Sequence, residues 1–229
     1  MRAPSIRRNV WDDIWPGDDE VGHAAIMTRR FALAFLSLLA WPAFAQPVPP
    51  PAPEPATVRV TLQTSLGPIV LALESERAPI TTANFLRYVD QKRLDGVTFY
   101  RASKVQPGFG LIQGGVRNDP KRVLKPIAHE PTTKTGLSHT DGTISMARAA
   151  PGTATMDFFI TVGAMPSMDA DPTKPGDNLG FAAFGHVVEG MDVVRAILDS
   201  PTSPTEGEGV MKGQMLAPPV RIVTARRSS

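Results

Sequence analysis

Cysteine is absent from all 229 residues, which removes disulfides, thiol catalysis, cysteine lipidation and cysteine-based zinc sites together. Neither sign of charge dominates: 24 Lys and Arg against 22 Asp and Glu leave a net +2, too little to support a nucleic-acid groove. Only four histidines occur, His23, His129, His139 and His186, and they read as surface or turn residues. There is no Gly-x-Ser-x-Gly elbow, no His-Glu-x-x-His helix, and no lysine beside the glycine pair Gly114-Gly115 to make a phosphate loop. Ser138, His139 and Asp141 are neighbours in "GLSHTDG", but near neighbours on a strand splay apart, whereas a triad needs them to converge. A hydrolase therefore lacks its nucleophile, and no metal or cofactor is expected. The aspartates of "AMPSMDADPTKPGDN" do not have the spacing of a calcium loop, so this stretch reads as a proline-rich surface loop.

Long apolar runs are missing too. From Met27 the chain reads "MTRRFALAFLSLLAWPAFAQ", with two arginines, an apolar run from Phe31 to Trp41, and Ala43-Phe44-Ala45 as a small-x-small cleavage pattern. The run is shorter than the roughly 20 residues a spanning helix needs. Residues 27–45 read as a secretory signal peptide cut after Ala45, with general secretion favoured over the twin-arginine route. The expected location is periplasmic or secreted, with no membrane span after processing. Residues 1–26 precede this signal. They read as an upstream extension from a misplaced start, with Met27 the initiator, or else as a long charged leader. Residues 46–56 begin "QPVPPPAPEP", a proline-rich tether whose extended form reaches about 28 Å at about 3.1 Å per residue.

The rest, residues 57–229, is long enough for one domain with its own core. In "TVRVTLQTSLGPIVLALE", Val58, Val60 and Leu62 alternate with Arg59, Thr61 and Gln63; after a break at Ser65-Leu66-Gly67, Ile69, Leu71 and Leu73 resume the period of two. That is a hairpin with one buried face. The next segment changes period: Thr81 or Thr82 caps a helix, Phe85, Leu86 and Val89 face inward, and Gly96 ends it. Further strands are expected at Val97–Ala102, Leu111–Gln113, Thr143–Ala147, Phe158–Val162, Ala182–Val187 and Val220–Ala225. A second helix is expected over "GMDVVRAILDS". Many short strands with two distant helices predict a mainly β protein, a closed antiparallel barrel.

Three blocks stand out: "FYRASKVQPGFGLIQGG", "GTISMARAAPGTATMDFFITV" and "GFAAFGHVVEGMDVVRAI". In this order they resemble the cyclophilin-type peptidyl-prolyl cis–trans isomerases, closest to the exported bacterial branch, over about Val58 to Arg226. The resemblance implies an eight-stranded antiparallel barrel capped by two helices, with the active site on one outer face. It implies a monomer acting on proline-containing unfolded or nascent exported polypeptides. By position, Arg101 matches the family's catalytic arginine and Gln113 its neighbouring glutamine. Leu111 and Phe159 fall at apolar pocket positions, Tyr100 and Phe181 beside them, and Ala147, Arg148 and Ala149 on the strand that pairs with substrate backbone. Four extra residues between Arg101 and Gln113 leave open whether Phe109 belongs to the pocket. Arg148 replaces a usual asparagine and Asp157 a usual glutamine; the two read either as rim charge that favours basic residues before proline or as only a rim salt bridge. Many members carry a pocket tryptophan that hydrogen-bonds cyclosporin; here Trp11, Trp15 and Trp41 all precede the cut. The alternative function is a peptide-binding module or chaperone of the same fold with little turnover.

Overall fold

The computed structural model describes residues 54–228, so the upstream extension, the signal peptide and all but the last three tether residues lie outside the described residues. The strands are β1 (Thr57–Thr64), β2 (Gly67–Glu74), β3 (Thr98–Gln106), β4 (Phe109–Gly115), β5 (Thr143–Met146), β6 (Phe158–Val162), β7 (Ala182–Glu189), β8 (Thr202–Ser203) and β9 (Met215–Arg227). Hydrogen bonds run β1-β2-β7-β5-β6-β4-β3-β9, and β9 returns to β1, closing an eight-stranded antiparallel barrel. The two-residue β8 pairs only with β9, outside the ring. Closure leaves no open edge along the seam, which suits a sheet of short strands.

The period of two in the first hairpin decides its facing. Val60, Leu62, Ile69, Leu71 and Leu73 are fully buried, while Arg59 and Gln63 are exposed. The helix α1 (Pro79–Asp90) packs Phe85 against Phe158 and Phe184, with ring centroids 5.5 and 5.4 Å apart. The helix α3 (Met191–Asp199) buries Val193, Val194, Ile197 and Leu198. A single turn, α2 (Thr132–Thr135), adds a third helix that the sequence did not signal.

The capping of α1 differs from expectation. The helix starts one turn earlier, with Pro79 in its first turn, and neither Thr81 nor Thr82 caps it. Proline suits that place because its missing N–H would have no partner there. The cap comes from 50 residues away: the buried Glu130 carboxylate accepts from the Ile80 and Thr81 amides (3.2 and 2.8 Å) and from the Thr81 hydroxyl (2.7 Å). Gly96 does not end the helix either. The helix stops at Asp90, and Gly96, with φ +78°, closes the turn that leads into β3.

Two strands are longer than their apolar pattern. β3 runs on to Gln106 and β4 begins at Phe109, so Pro107-Gly108 is the hairpin tip. The extra residues between Arg101 and Gln113 lengthen this hairpin, pairing Lys104 with Gly110 and Gln106 with Phe109. No described helix is long and apolar enough to cross a membrane.

Candidate active site

Strict alternation would put Phe99 and Arg101 on the same face of β3. A bulge prevents this: Phe99 pairs with Gly114 and Arg101 with Gln113, so Tyr100 is the extra residue. Phe99 and Ala102 consequently stay in the barrel core, and both Tyr100 and Arg101 are turned away from it. Register then builds one row across adjacent strands. Arg101 lies opposite Gln113, Gln113 opposite Phe159, and Phe159 opposite Ser145. The intervening core face is carried by Ile112, Phe158, Ile160 and Ile144.

Two neutral side chains hold the half-buried Arg101. Its Nη1 donates to Gln113 Oε1 and its Nε to Gln214 Oε1, each at 2.8 Å. Burial pulls the Arg101 pKa below the usual arginine value, and arginine still remains charged at any ordinary pH. Beside it lies an apolar cluster separate from the barrel core: Leu111, Phe159 and Met165, flanked by Phe109, Ala147, Met168 and Phe181. Phe181 meets Phe159 edge-on at 5.4 Å. Phe109 therefore does join the cluster. Its ring lies over Gly163 (φ +85°), where an added Cβ would come within 2.3 Å of a ring carbon.

Phe159 is supported from behind by His139, stacked at 5.8 Å with ring planes 13° apart. This corrects the reading of His139 as a surface or turn residue, since it is 1% exposed. Its Nδ1 lies 2.5 Å from Asp169 Oδ1 and its Nε2 2.9 Å from Ser145 Oγ. Ser138 also hydrogen-bonds Asp169. Burial lowers the His139 pKa despite Asp169, which opposes the shift. Burial alone would raise Asp169; hydrogen bonds from Ser138 and His139 bring it below the usual carboxylate range. The acid, imidazole and hydroxyl of this chain include a fully buried Ser145, so they form a support and not a nucleophile. Asp141 points elsewhere, to Arg195 and the Gly163 amide.

On the other side of the row, a groove of about 500 Å³ is lined by Tyr100, Gln113, Ala147, Thr153 and Asp157 among others. The Tyr100 hydroxyl donates to Asp157 Oδ2 at 3.1 Å, and the Arg117 guanidinium covers the Tyr100 ring at 4.9 Å. Burial, then the Asp157 charge, pushes the Tyr100 pKa up. Burial also raises Asp157, against the Arg117 amide and the Tyr100 hydroxyl that stabilise its charge.

Two expectations fail here. Arg148 does not pair with Asp157. It donates to both oxygens of Asp177 (2.6 and 3.0 Å) and to the Gly180 carbonyl, and it lies over Phe181 at 5.2 Å. Ala147, Arg148 and Ala149 also lie beyond β5, which ends at Met146. Ala147 keeps one ladder-like bond, its N–H to the Asp157 carbonyl at 2.8 Å. Ala149 and Ala150 then turn their N–H groups to Thr153 Oγ1, which takes the chain out of the strand.

Residues 59–227 match the family described as cyclophilin type peptidyl-prolyl cis-trans isomerase/CLD. The chain belongs to the cyclophilin family. It is 37% identical over 178 residues to a peptidyl-prolyl cis-trans isomerase of Acinetobacter baylyi, covering 76% of this chain and 87% of that one. It is also 37% identical over 145 residues to peptidyl-prolyl cis-trans isomerase B of Escherichia coli, covering 60% and 82%. A crystal structure of a Cryptosporidium parvum cyclophilin type isomerase, in the presence of the dipeptide Ala-Pro, shares the fold. Its TM-score is 0.60 at 22% identity, over 75% of this chain and 99% of that one.

Within this cyclophilin barrel, the sequence reading missed Gln214, Met165, Met168, His139 and Asp169. Gln214 and Asp169 come from loops whose polar composition gives no periodicity to read. A buried methionine in a proline-rich loop was the one available signal, since an apolar side chain there needs somewhere to pack.

Proposed function

We propose that this chain is a peptidyl-prolyl cis–trans isomerase acting on X-Pro bonds of exported polypeptides. The observation that carries the proposal is Arg101, a charged donor fixed at the edge of the Leu111, Phe159 and Met165 cluster. The reaction breaks no bond. Its barrier of about 18–20 kcal/mol comes from amide resonance, which rotation interrupts, leaving a lone pair on the prolyl nitrogen. A donor that meets this lone pair stabilises the twisted state over the planar one, which is what acceleration requires. Arg101 Nη2 makes no hydrogen bond to the described residues, so it is available for that contact. The apolar cluster receives the proline ring, and the Tyr100–Asp157 groove receives the residues before it. The same fold used only to bind peptide would need no such donor.

A protease-coupled assay on X-Pro peptides tests the reading. Arg101→Ala should lower kcat/KM by about tenfold or more with the circular dichroism spectrum unchanged. Absence of turnover in the wild type would leave a binding module.

The export reading rests on "MTRRFALAFLSLLAWPAFAQ" alone. It makes the mature protein a periplasmic or secreted folding assistant, while the monomeric state and the exported bacterial branch rest on the resemblance of the three sequence blocks. Sequencing the N-terminus of exported material should give Gln46, and a retained signal segment would refute the cut.

A further inference from the structure

We infer that Gln214 is a positioning residue for Arg101: its side-chain carbonyl fixes the plane of the guanidinium without neutralising it. The inference rests on the isomerase reading above. Arg101 reaches its place beside a bulge, where the ladder is locally disrupted and the side chain is re-aimed. A long arginine side chain has much rotamer freedom to lose on being fixed. One acceptor, Gln113, anchors Nη1 and leaves the plane free to pivot about that bond. A second acceptor at Nε removes the pivot, because two separate nitrogens are then held at 2.8 Å each.

The chemistry of the two acceptors is the second part of the argument. Both are amide carbonyls, which accept hydrogen bonds and carry no net charge. Among the described residues no carboxylate lies within ion-pair distance of Arg101, although eight other arginines and lysines pair with carboxylates on this domain. A carboxylate in the same place would hold the plane equally well and would cancel the field directed at the prolyl nitrogen. Orientation and full charge are thus obtained together.

Gln214 is itself well placed to do this. It immediately precedes Met215, the β9 residue opposite Arg101. Its backbone carbonyl accepts from the Ala102 amide at 2.9 Å and its N–H donates to the Met211 carbonyl at 3.1 Å. The Gly213 N–H donates to the Glu206 carbonyl at 2.9 Å, tying the base of this loop together. The loop before β9 therefore ends in the group that aligns Arg101.

Two variants test the inference, with Arg101→Ala as the reference. In Gln214→Ala, kcat on an X-Pro peptide should fall about fivefold with KM unchanged, because the pocket is intact and the donor has lost its plane. The NMR signal of the Arg101 Nε–H should lose its protection from solvent exchange. In Gln214→Glu that protection should persist while kcat still falls, which separates loss of charge from loss of order. Wild-type kcat and retained Nε–H protection in Gln214→Ala would overturn the inference. So would a loss of activity carried by KM alone. A wild-type protein without turnover would instead refute the isomerase reading, and the exchange measurement would still decide whether Gln214 holds Arg101.

Discussion

Arg148 closes on Asp177 through two hydrogen bonds of 2.6 and 3.0 Å, and this leaves the Asp157 carboxylate without a guanidinium beside its oxygens. The sequence placed the two together on the rim, either as a charge favouring basic residues before proline or as only a salt bridge. Both line the same groove with Tyr100 and Gln113, but Asp177 neutralises Arg148 while Asp157 presents its charge there.

The enzyme should therefore turn over Lys-Pro peptides faster than Glu-Pro peptides at low ionic strength. The difference should shrink in high salt, since the screening length is only about 10 Å at 0.1 M. It should also fade as pH falls through the Asp157 pKa, which burial holds above the usual carboxylate value. A series of peptides differing only before proline measures this. Equal rates at low salt and neutral pH would contradict it.

Glu130 accepts three hydrogen bonds at the start of α1 from a buried position. Glu130→Ala leaves two amides and a hydroxyl without that partner, and should cost about 3 kcal/mol of stability. Urea unfolding reads the loss. Activity at temperatures below the transition should be nearly unchanged, because Glu130 hydrogen-bonds Ile80 and Thr81 and no residue of the Arg101 row.

The fold was largely legible because its signals were local. Alternation at Val60, Leu62, Ile69 and Leu71 announced the first hairpin, and Arg101 and Gln113 lay either side of the Pro107-Gly108 break. What could not be read depended on distant partners. Glu130 caps a helix 50 residues upstream, and no neighbour of Thr81 hints at it. His139 is flanked by polar residues and looks solvated until Asp169 and Ser145 meet it. The same holds for Arg148, whose choice of Asp177 over Asp157 is settled by how the loop before β7 folds back.

His139 supplies a pH test. Its folded pKa lies below the ordinary histidine value, so the folded state resists protonating it. The stability it contributes is present above the unfolded pKa of about 6.5 and is lost as pH falls through the folded value. Melting temperature should drop between neutral and mildly acid pH, and less so in His139→Gln. Because His139 stacks on Phe159, the variant should also raise KM for X-Pro peptides. An unchanged pH profile and KM would remove it from both roles.

Cleavage after Ala45, as proposed, would leave a protein without tryptophan, since Trp11, Trp15 and Trp41 all precede Gln46. No indole N–H is then available to cyclosporin, and the lost hydrogen bond and aromatic area should weaken its binding on the order of a hundredfold. Titration against the isomerase assay measures this, and nanomolar inhibition would refute it. Indole fluorescence in exported material would refute the cleavage site.

The seam that closes the barrel has a mechanical consequence. β1 and β9 are antiparallel, Val60 faces Arg227, and the Ser228 N–H reaches the Arg59 carbonyl at 3.1 Å, so the domain's two ends emerge side by side. A force drawing those ends apart loads the seam one rung at a time, as a zipper opens, and never shears all its rungs together. Tension applied through the termini should therefore open the barrel at low force, beginning at Arg59–Ser228.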